Sequence, residues 1–464
     1  MSAPDRTRAP APGSPRTFRA PAVTRARLDN GLLVMVARHG DLPVVATSLA
    51  VRMGVADEPP ARAGLARAMS ELLESGTERR DADELAWALE FAGIQLDVSA
   101  GWDSMVAGTT VPSARFDQAA ALLAEVVREP SFPDDEVARV RQRQLAGLLQ
   151  RRKDPRSLAA DMSARFTFGD GVPYGRPVAG IRDTVAGIAR DDVTALYADA
   201  FGPAHAAFIV VGDVEPDECV EVARRHYGDW EAPVAMPRDF AVRPRVERTT
   251  VFVVDRPGSV QSELRISDVG IARSDPDYLP IRVMNTVLGG AFTSRLNMNL
   301  RERHGFTYGA RSGFSARRLP GPFSIGAAVA TDVTAAALRE ALAEVRLLRD
   351  EGPTEDEVAS ARDYIAGILP LQLQTVEQLA SRLAGQFVYT LPHDYLATYQ
   401  ERVRAVTVEE AARVARERLR PDRFAITVVG DADAVMDDLE ALDIGPVERV
   451  AAAPPLESLA EGGA

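Results

Sequence analysis

At 464 residues, with 46% hydrophobic and 26% charged residues, the chain is globular and too long for one ordinary core, so two or more domains are expected. A formal charge of −13 argues against nucleic acid or an anionic membrane as partner, since both need a basic footprint. No window approaches the apolar length of a membrane span, and the single cysteine, Cys219, excludes an intrachain disulfide.

Residues 1–20 lack an apolar signal-peptide core and read as a disordered Pro/Arg arm. With one cysteine in the chain, the cytoplasm is the expected compartment, ahead of the periplasm. The first domain is expected over 21–230. It opens on β-type runs, GLLVMVARHG and VVATSLAVRMG, each closed by glycine. A short helix follows in GLARAMSELLESGT (Gly64–Thr77), where Arg67, Ser70 and Glu71 interrupt an otherwise apolar face. The strand SMVAGTTV, a helix ending at Pro130, the long helix of DEVARVRQRQLAGLL and the strand AHAAFIVVGD complete this half.

A Pro-rich linker, 231–247, leads to a second domain over 248–445 that repeats the first, and 446–464 reads as a flexible tail. AHAAFIVVGD returns as DRFAITVVGD, with glycines at 212 and 430, and DEVARVRQRQLAGLL returns as DEVASARDYIAGIL, with glycines at 147 and 367. A period near 220 residues means duplicated domains rather than a solenoid. Strands and helices grouped within each half predict an α+β fold, with helices on one face of a mainly antiparallel sheet. The helix YLPIRVMNTVLGG (Tyr278–Gly290) takes the place of Gly64–Leu73 in the second half.

None of the five histidines (39, 205, 226, 304, 393) lies within four residues of another, so no helix offers paired imidazoles to a metal. Phosphate-loop and G-x-S-x-G patterns are missing, and acidic neighbours of Cys219 disfavour its thiolate.

The duplicated order and two stretches resemble the pitrilysin or insulinase-like (M16, subfamily B) zinc peptidases and the mitochondrial processing peptidases, over about residues 20–440. The resemblance implies two domains of the LuxS/mitochondrial-processing-peptidase-like metallohydrolase fold. The family's active half carries G-x-x-H-x-x-E-H-x-x-x-x-G-T, in which two histidines one turn apart bind zinc, the glutamate activates water, and a distal glutamate completes the ligands. In that frame Gly64, Gly76 and Thr77 match, but Arg67 and Glu71 stand at the histidine positions and Ser70 at the glutamate. Gly147 stands where the distal ligand is expected. Guanidinium has no lone pair for zinc, so no metal is expected on this chain. The plain reading of Arg67 and Glu71 is a local i, i+4 ion pair.

The second stretch, SRLNMNLRERHGFTYGARSGF, resembles the L-R-E-x-x-G-x-x-Y segment of the family's C-terminal domain. It implies that Arg301 and Tyr308 hold the substrate main chain and stabilise an oxyanion beside a zinc, chemistry that suits a permanent cation and a phenol. The alternative is an Arg301–Glu302 surface pair with Tyr308 in the core. GIQLDVSAGWDS puts Asp97 and Val98 where the family has Asn-Ala on its substrate-binding edge strand; β-augmentation by a peptide stays open there.

The resemblance therefore implies a non-catalytic subunit of a heterodimeric peptidase. An H-x-x-E-H-bearing partner would hold the zinc, and Arg301 and Tyr308 would complete the site in trans for a peptide or unfolded-polypeptide substrate. A structural scaffold with no part in proteolysis is the alternative. An autonomous hydrolase with an unrelated site would rest only on scattered carboxylates.

Overall fold

The computed structural model describes residues 18–232 and 239–451. The expected arm up to residue 17, residues 233–238 of the linker and the tail from 452 lie outside the described residues. Strands β1 (Val23–Arg27), β2 (Leu33–Arg38), β3 (Val44–Val51), β4 (Asp97–Ala100), β5 (Met105–Pro112) and β6 (Ala206–Gly212) form one sheet in the order β1-β2-β6-β3-β5-β4. The second sheet comprises β7 (Thr250–Asp255), β8 (Gln261–Val269), β9 (Ala310–Phe314), β10 (Pro322–Ala330), β11 (Ala425–Gly430) and β12 (Val447–Ala451), in the order β12-β7-β11-β8-β10-β9.

Five strand positions correspond between the sheets. Each sheet runs one central pair parallel, β2 with β6 and β7 with β11, and the following three pairs antiparallel. The sixth position differs. In the first sheet β1 pairs antiparallel with β2; in the second, β12 pairs parallel with β7. This corrects the tail expected from 446: Val447–Ala451 is a strand, and the amide of Val251 donates to the carbonyl of Pro446. Backbone pairing along a free sheet edge outweighs the polar Glu448 and Arg449, which stay exposed. The expected arm is likewise shortened, because Phe18 and Ala20 pack against the core.

The first half contributes helices α1 (Leu65–Leu72), α2 (Ala82–Ala92), α3 (Phe116–Arg128), α4 (Asp134–Lys153), α5 (Pro155–Phe168), α6 (Arg182–Ala186), α7 (Arg190–Ala200) and α8 (Pro216–Tyr227). The second contributes α9 (Tyr278–Asn285), α10 (Arg295–Asn297), α11 (Thr334–Glu351), α12 (Glu355–Ile368), α13 (Val376–Val388), α14 (Tyr395–Arg404), α15 (Val408–Arg418) and α16 (Ala432–Glu440).

Helices on one face alone do not describe the packing. Strands β6 and β11 are buried at every residue, so both of their faces must be covered. Each half covers its own sheet on one side and lends a helix to the other half. From α5, Leu158, Ala159, Met162 and Phe166 pack on Phe252, Val254, Ala425 and Val429 of the second sheet, with Phe166 and Phe252 stacked at 4.1 Å. From α13, Leu379, Ala380, Leu383 and Phe387 join the cluster that contains Met35, Ala37, Ala207, Ile209 and Val211 of the first sheet. The exchange locks the halves together and leaves a cleft beside each inserted helix.

Candidate functional site

The backbone around α1 explains which parts of the zinc-motif frame are present. Gly64 precedes the helix at φ +95°, and a Cβ there would come within 2.8 Å of both the Ala179 carbonyl oxygen and Gln144 Nε2. Only glycine fits. The amides of Gly64 and Ala66 donate to the two oxygens of Glu58 at 2.8 and 3.0 Å, so a carboxylate six residues upstream caps the helix. Gly76 sits at φ +122°. Buried Thr77 donates to Glu125 Oε1 at 2.7 Å and accepts from the amides of Arg79 and Arg80. These requirements are met by the fold alone, with no reference to a metal.

The residues that would carry the chemistry are engaged with one another. Arg67 donates through Nε and Nη2 to Glu71 Oε1 at 2.9 and 2.8 Å, and Arg143 of α4 donates to Glu71 Oε2 at 3.1 and 3.0 Å. Ser70 is fully buried and its hydroxyl donates to the Arg67 carbonyl at 2.8 Å. Gly147 offers no ligand, and a Cβ there would meet nothing within 4 Å. Both oxygens of the one carboxylate on α1 that faces these positions are thus held by arginines, and among the described residues no group of three or more His, Cys, Asp or Glu could hold a metal ion. These residues do not fit zinc.

Arg67, Glu71, Arg143 and Gly147 line a cavity of about 810 Å³ between the halves, whose far wall includes Arg265, Ser267 and Arg317. Arg151 pairs there with Asp161 at 2.7 Å, and Arg265 with Glu263 at 3.2 Å. Arg317 is held over the rings of Trp102 and Tyr174, at 4.0 and 4.4 Å, and burial pushes its guanidinium down to about 10. Burial also raises Glu58 to about 7, against its two amide hydrogen bonds and nearby Arg176. The lining is cationic within an acidic chain.

Sequence reasoning missed Arg143, although it lies one helical turn before Gly147 and so shares its face. It also missed Asp103, which accepts from the hydroxyls of Tyr174 and Tyr389 at 3.0 and 3.2 Å and from the Arg318 amide at 2.8 Å, linking the halves. No local pattern marks that carboxylate.

Arg301 and Tyr308 do not line this cavity. Arg301 lies in the helical turn Met298–Arg303, 3.6 Å from Glu302 and with its guanidinium 4.5 Å from the centre of the Phe292 ring. The surface pair with Glu302 therefore exists, but Tyr308 is 96% exposed rather than in the core. Phe292 and Met298 are exposed as well. The outer strand β4 is an edge strand, as the family resemblance implies, but Glu74 Oε1 accepts the Val98 amide at 3.0 Å and occupies part of that edge. Cys219 is buried, and burial with Glu218 and Glu215 nearby pushes its thiol up to about 12. No described helix is long and apolar enough to cross a membrane.

Residues 34–166 match the sequence profile of insulinase (peptidase family M16), and residues 187–365 match that of the peptidase M16 inactive domain. A protein of Streptomyces coelicolor named an uncharacterized zinc protease is 25% identical over 89% of this chain and 91% of its own length. A Helicobacter pylori protein named a non-peptidase homolog is 22% identical over 85% of this chain and 90% of its own length. Among solved structures, a peptidase M16 inactive domain from Pseudomonas fluorescens superposes with a TM-score of 0.82 at 26% identity, covering 88% of this chain and 98% of that one. A Helicobacter pylori protease shares the fold, with a TM-score of 0.80 at 19% identity over 88% of this chain and 100% of that one. With two duplicated α+β domains in M16 order and the frame of the M16 motif around α1, the chain belongs to the M16 (insulinase-like) peptidase family.

Proposed function

We propose that the chain is a non-catalytic, substrate-holding subunit of a two-chain M16-type zinc peptidase. Its partner carries H-x-x-E-H and the zinc, and Arg301 and Tyr308 serve that zinc in trans during peptide hydrolysis. One observation carries the reading. The zinc positions are closed by the Arg67–Glu71–Arg143 cluster, while Tyr308 is left almost wholly exposed beside the Arg301 turn. An exposed phenol and a half-buried guanidinium beside it can donate to a carbonyl oxygen on another chain, and the exposed Phe292 and Met298 offer apolar surface for that chain to cover. The scaffold alternative draws support from the relative named a non-peptidase homolog and from the Arg301–Glu302 pair.

The test is co-purification with an H-x-x-E-H homologue from the same source, followed by metal analysis and peptidase assays. One zinc per pair is expected, with none on this chain. Tyr308→Phe and Arg301→Ala should each lower kcat/KM of the pair by roughly 10²-fold, the scale for removing one oxyanion donor. Full activity of both variants in a zinc-loaded pair would leave the scaffold reading standing. Peptide cleavage or stoichiometric zinc on the isolated chain would overturn the non-catalytic reading itself.

A further inference from the structure

The second half has its own cleft, beside α9 and against α13 and α14, with a volume of about 570 Å³. Three arginines line it, and none has a carboxylate partner among the described residues. Arg273 lies 3.8 Å above the centre of the Tyr278 ring and 5.0 Å from that of Tyr395, and its Nη2 donates to the Tyr395 hydroxyl at 2.6 Å. Arg282, half-buried on α9, lies 5.6 Å from the centre of the Tyr399 ring. Tyr399 is 4% exposed and its hydroxyl has no hydrogen-bond partner. Arg382 adds a third guanidinium on the exposed rim, donating to neutral Gln372. The one acidic residue lining the cleft among those described, Glu377, makes no ion pair with any of the three.

Cations gathered in a partly dry cleft repel one another unless an anion sits between them. Arg413 and Arg295, by contrast, take carboxylates of this chain, Asp277 and Glu357. Here it supplies rings and neutral hydroxyls, which leaves guanidinium N–H groups for a guest. Leu369, Leu391 and Leu396 add apolar walls, and the volume suits a small molecule or a terminal peptide residue.

From this arrangement we infer that the cleft of the second half binds a carboxylate on a short apolar body, held by the Arg273 and Arg282 guanidiniums. The C-terminal residue of a peptide and a free aliphatic acid share that chemistry. The site is separate from the Arg301/Tyr308 reading and stands or falls without it.

Isothermal titration of the full chain tests it with four probes: N-acetyl-Ala-Leu with a free carboxylate, the same dipeptide as its amide, 4-methylpentanoate and inorganic phosphate. The free acid should bind saturably, and the amide at least about tenfold more weakly, the loss expected for one charge-assisted pair. Equal affinity for 4-methylpentanoate and the acid dipeptide would assign a free acid; preference for the dipeptide would assign a peptide end. Arg282→Gln and Arg273→Gln should each weaken binding about tenfold or more, while Arg143→Gln in the other cleft changes nothing. Should Arg282→Gln fail to fold, Arg382→Gln on the rim carries the test, with a weakening of about threefold. Acid and amide binding alike, no saturable binding by any probe, tighter binding of inorganic phosphate than of the carboxylates, or loss of binding in Arg143→Gln alone would overturn the inference.

Discussion

Each half of the chain sets a short helix over its sheet beside a cleft, but the two clefts hold charge differently. On the first side, the arginines of α1 and α4 are answered by carboxylates: Arg67 and Arg143 share Glu71, and Arg151 takes Asp161. On the second, Arg273 and Arg282 face tyrosine rings and hydroxyls. The backbone frame and the chemistry of a cleft are therefore set independently. Gly64, Gly76 and Thr77 are fixed by tight turns and hydrogen bonds that any version of the fold must satisfy. The side chains facing the space are free to be ligands, an ion-pair cluster or a set of unanswered cations.

The comparison breaks most severely if the carboxylate between the clefts is removed. Asp103 accepts from Tyr389, which lines the second cleft, and from Tyr174, whose ring lies beneath Arg317 of the first. Asp103→Ala would strand the buried Tyr174 hydroxyl, the half-buried Tyr389 hydroxyl and the Arg318 amide in the seam between the halves. A loss of about 4 kcal/mol is expected, in the range for breaking a buried charged network. Denaturant unfolding followed by near-UV circular dichroism would show it, and a cost below about 1 kcal/mol would mean that water replaces the carboxylate.

Much of this architecture is legible in the chain. The repeated VVGD strands give the duplication, and Thr354, Thr375 and Thr407 each start a helix with a reciprocal Glu or Gln three residues on, the pattern of a capping box. The exchange of α5 and α13 is not legible, because helical periodicity gives an apolar face but not the sheet it meets. The unbroken apolar runs of β6 and β11 hint that some second layer exists without saying which. Strand β12 reads as tail because its polar side chains face water while its backbone alone joins the sheet. Within the candidate site, Arg67 and Glu71 are an i, i+4 pair on inspection, whereas Arg143 reaches Glu71 across 72 residues. Arg282 hides inside the apolar stretch YLPIRVMN, where nothing in the sequence shows that tyrosines rather than acids will surround it.

Next in size is a pH effect at the cap of α1. Glu58 caps α1 beside Arg176, and burial raises its carboxyl to about 7 from an ordinary 4.5. The folded state therefore holds this proton more tightly than the unfolded chain does. Its contribution is fully present below pH 4.5, falls as pH rises towards 7, and is gone above it, a change on the order of 3 kcal/mol. Urea unfolding between pH 5 and 8 should show this decline in the wild type. Glu58→Gln should flatten it, and an unchanged slope in that variant would place the titration elsewhere.

The smallest effect sharpens the contrast between the clefts most directly. Glu71→Gln removes the carboxylate that Arg67 and Arg143 share, but both arginines are about half exposed, at 46% and 59% of their side chains. Water and salt screen such pairs, so a loss of about 0.5–1 kcal/mol is expected at low ionic strength and less in 0.5 M salt. Arg282→Gln, by contrast, breaks no ion pair and loses only the favourable facing of its cation by Tyr278, Tyr395 and Tyr399, so the ligand-free protein should unfold at about the same urea concentration. Side-by-side urea titrations of the two variants decide the matter. If Arg282→Gln were the more damaging in the ligand-free chain, its guanidinium would be holding the tyrosines in place, and the two clefts would differ in structure rather than in unanswered charge.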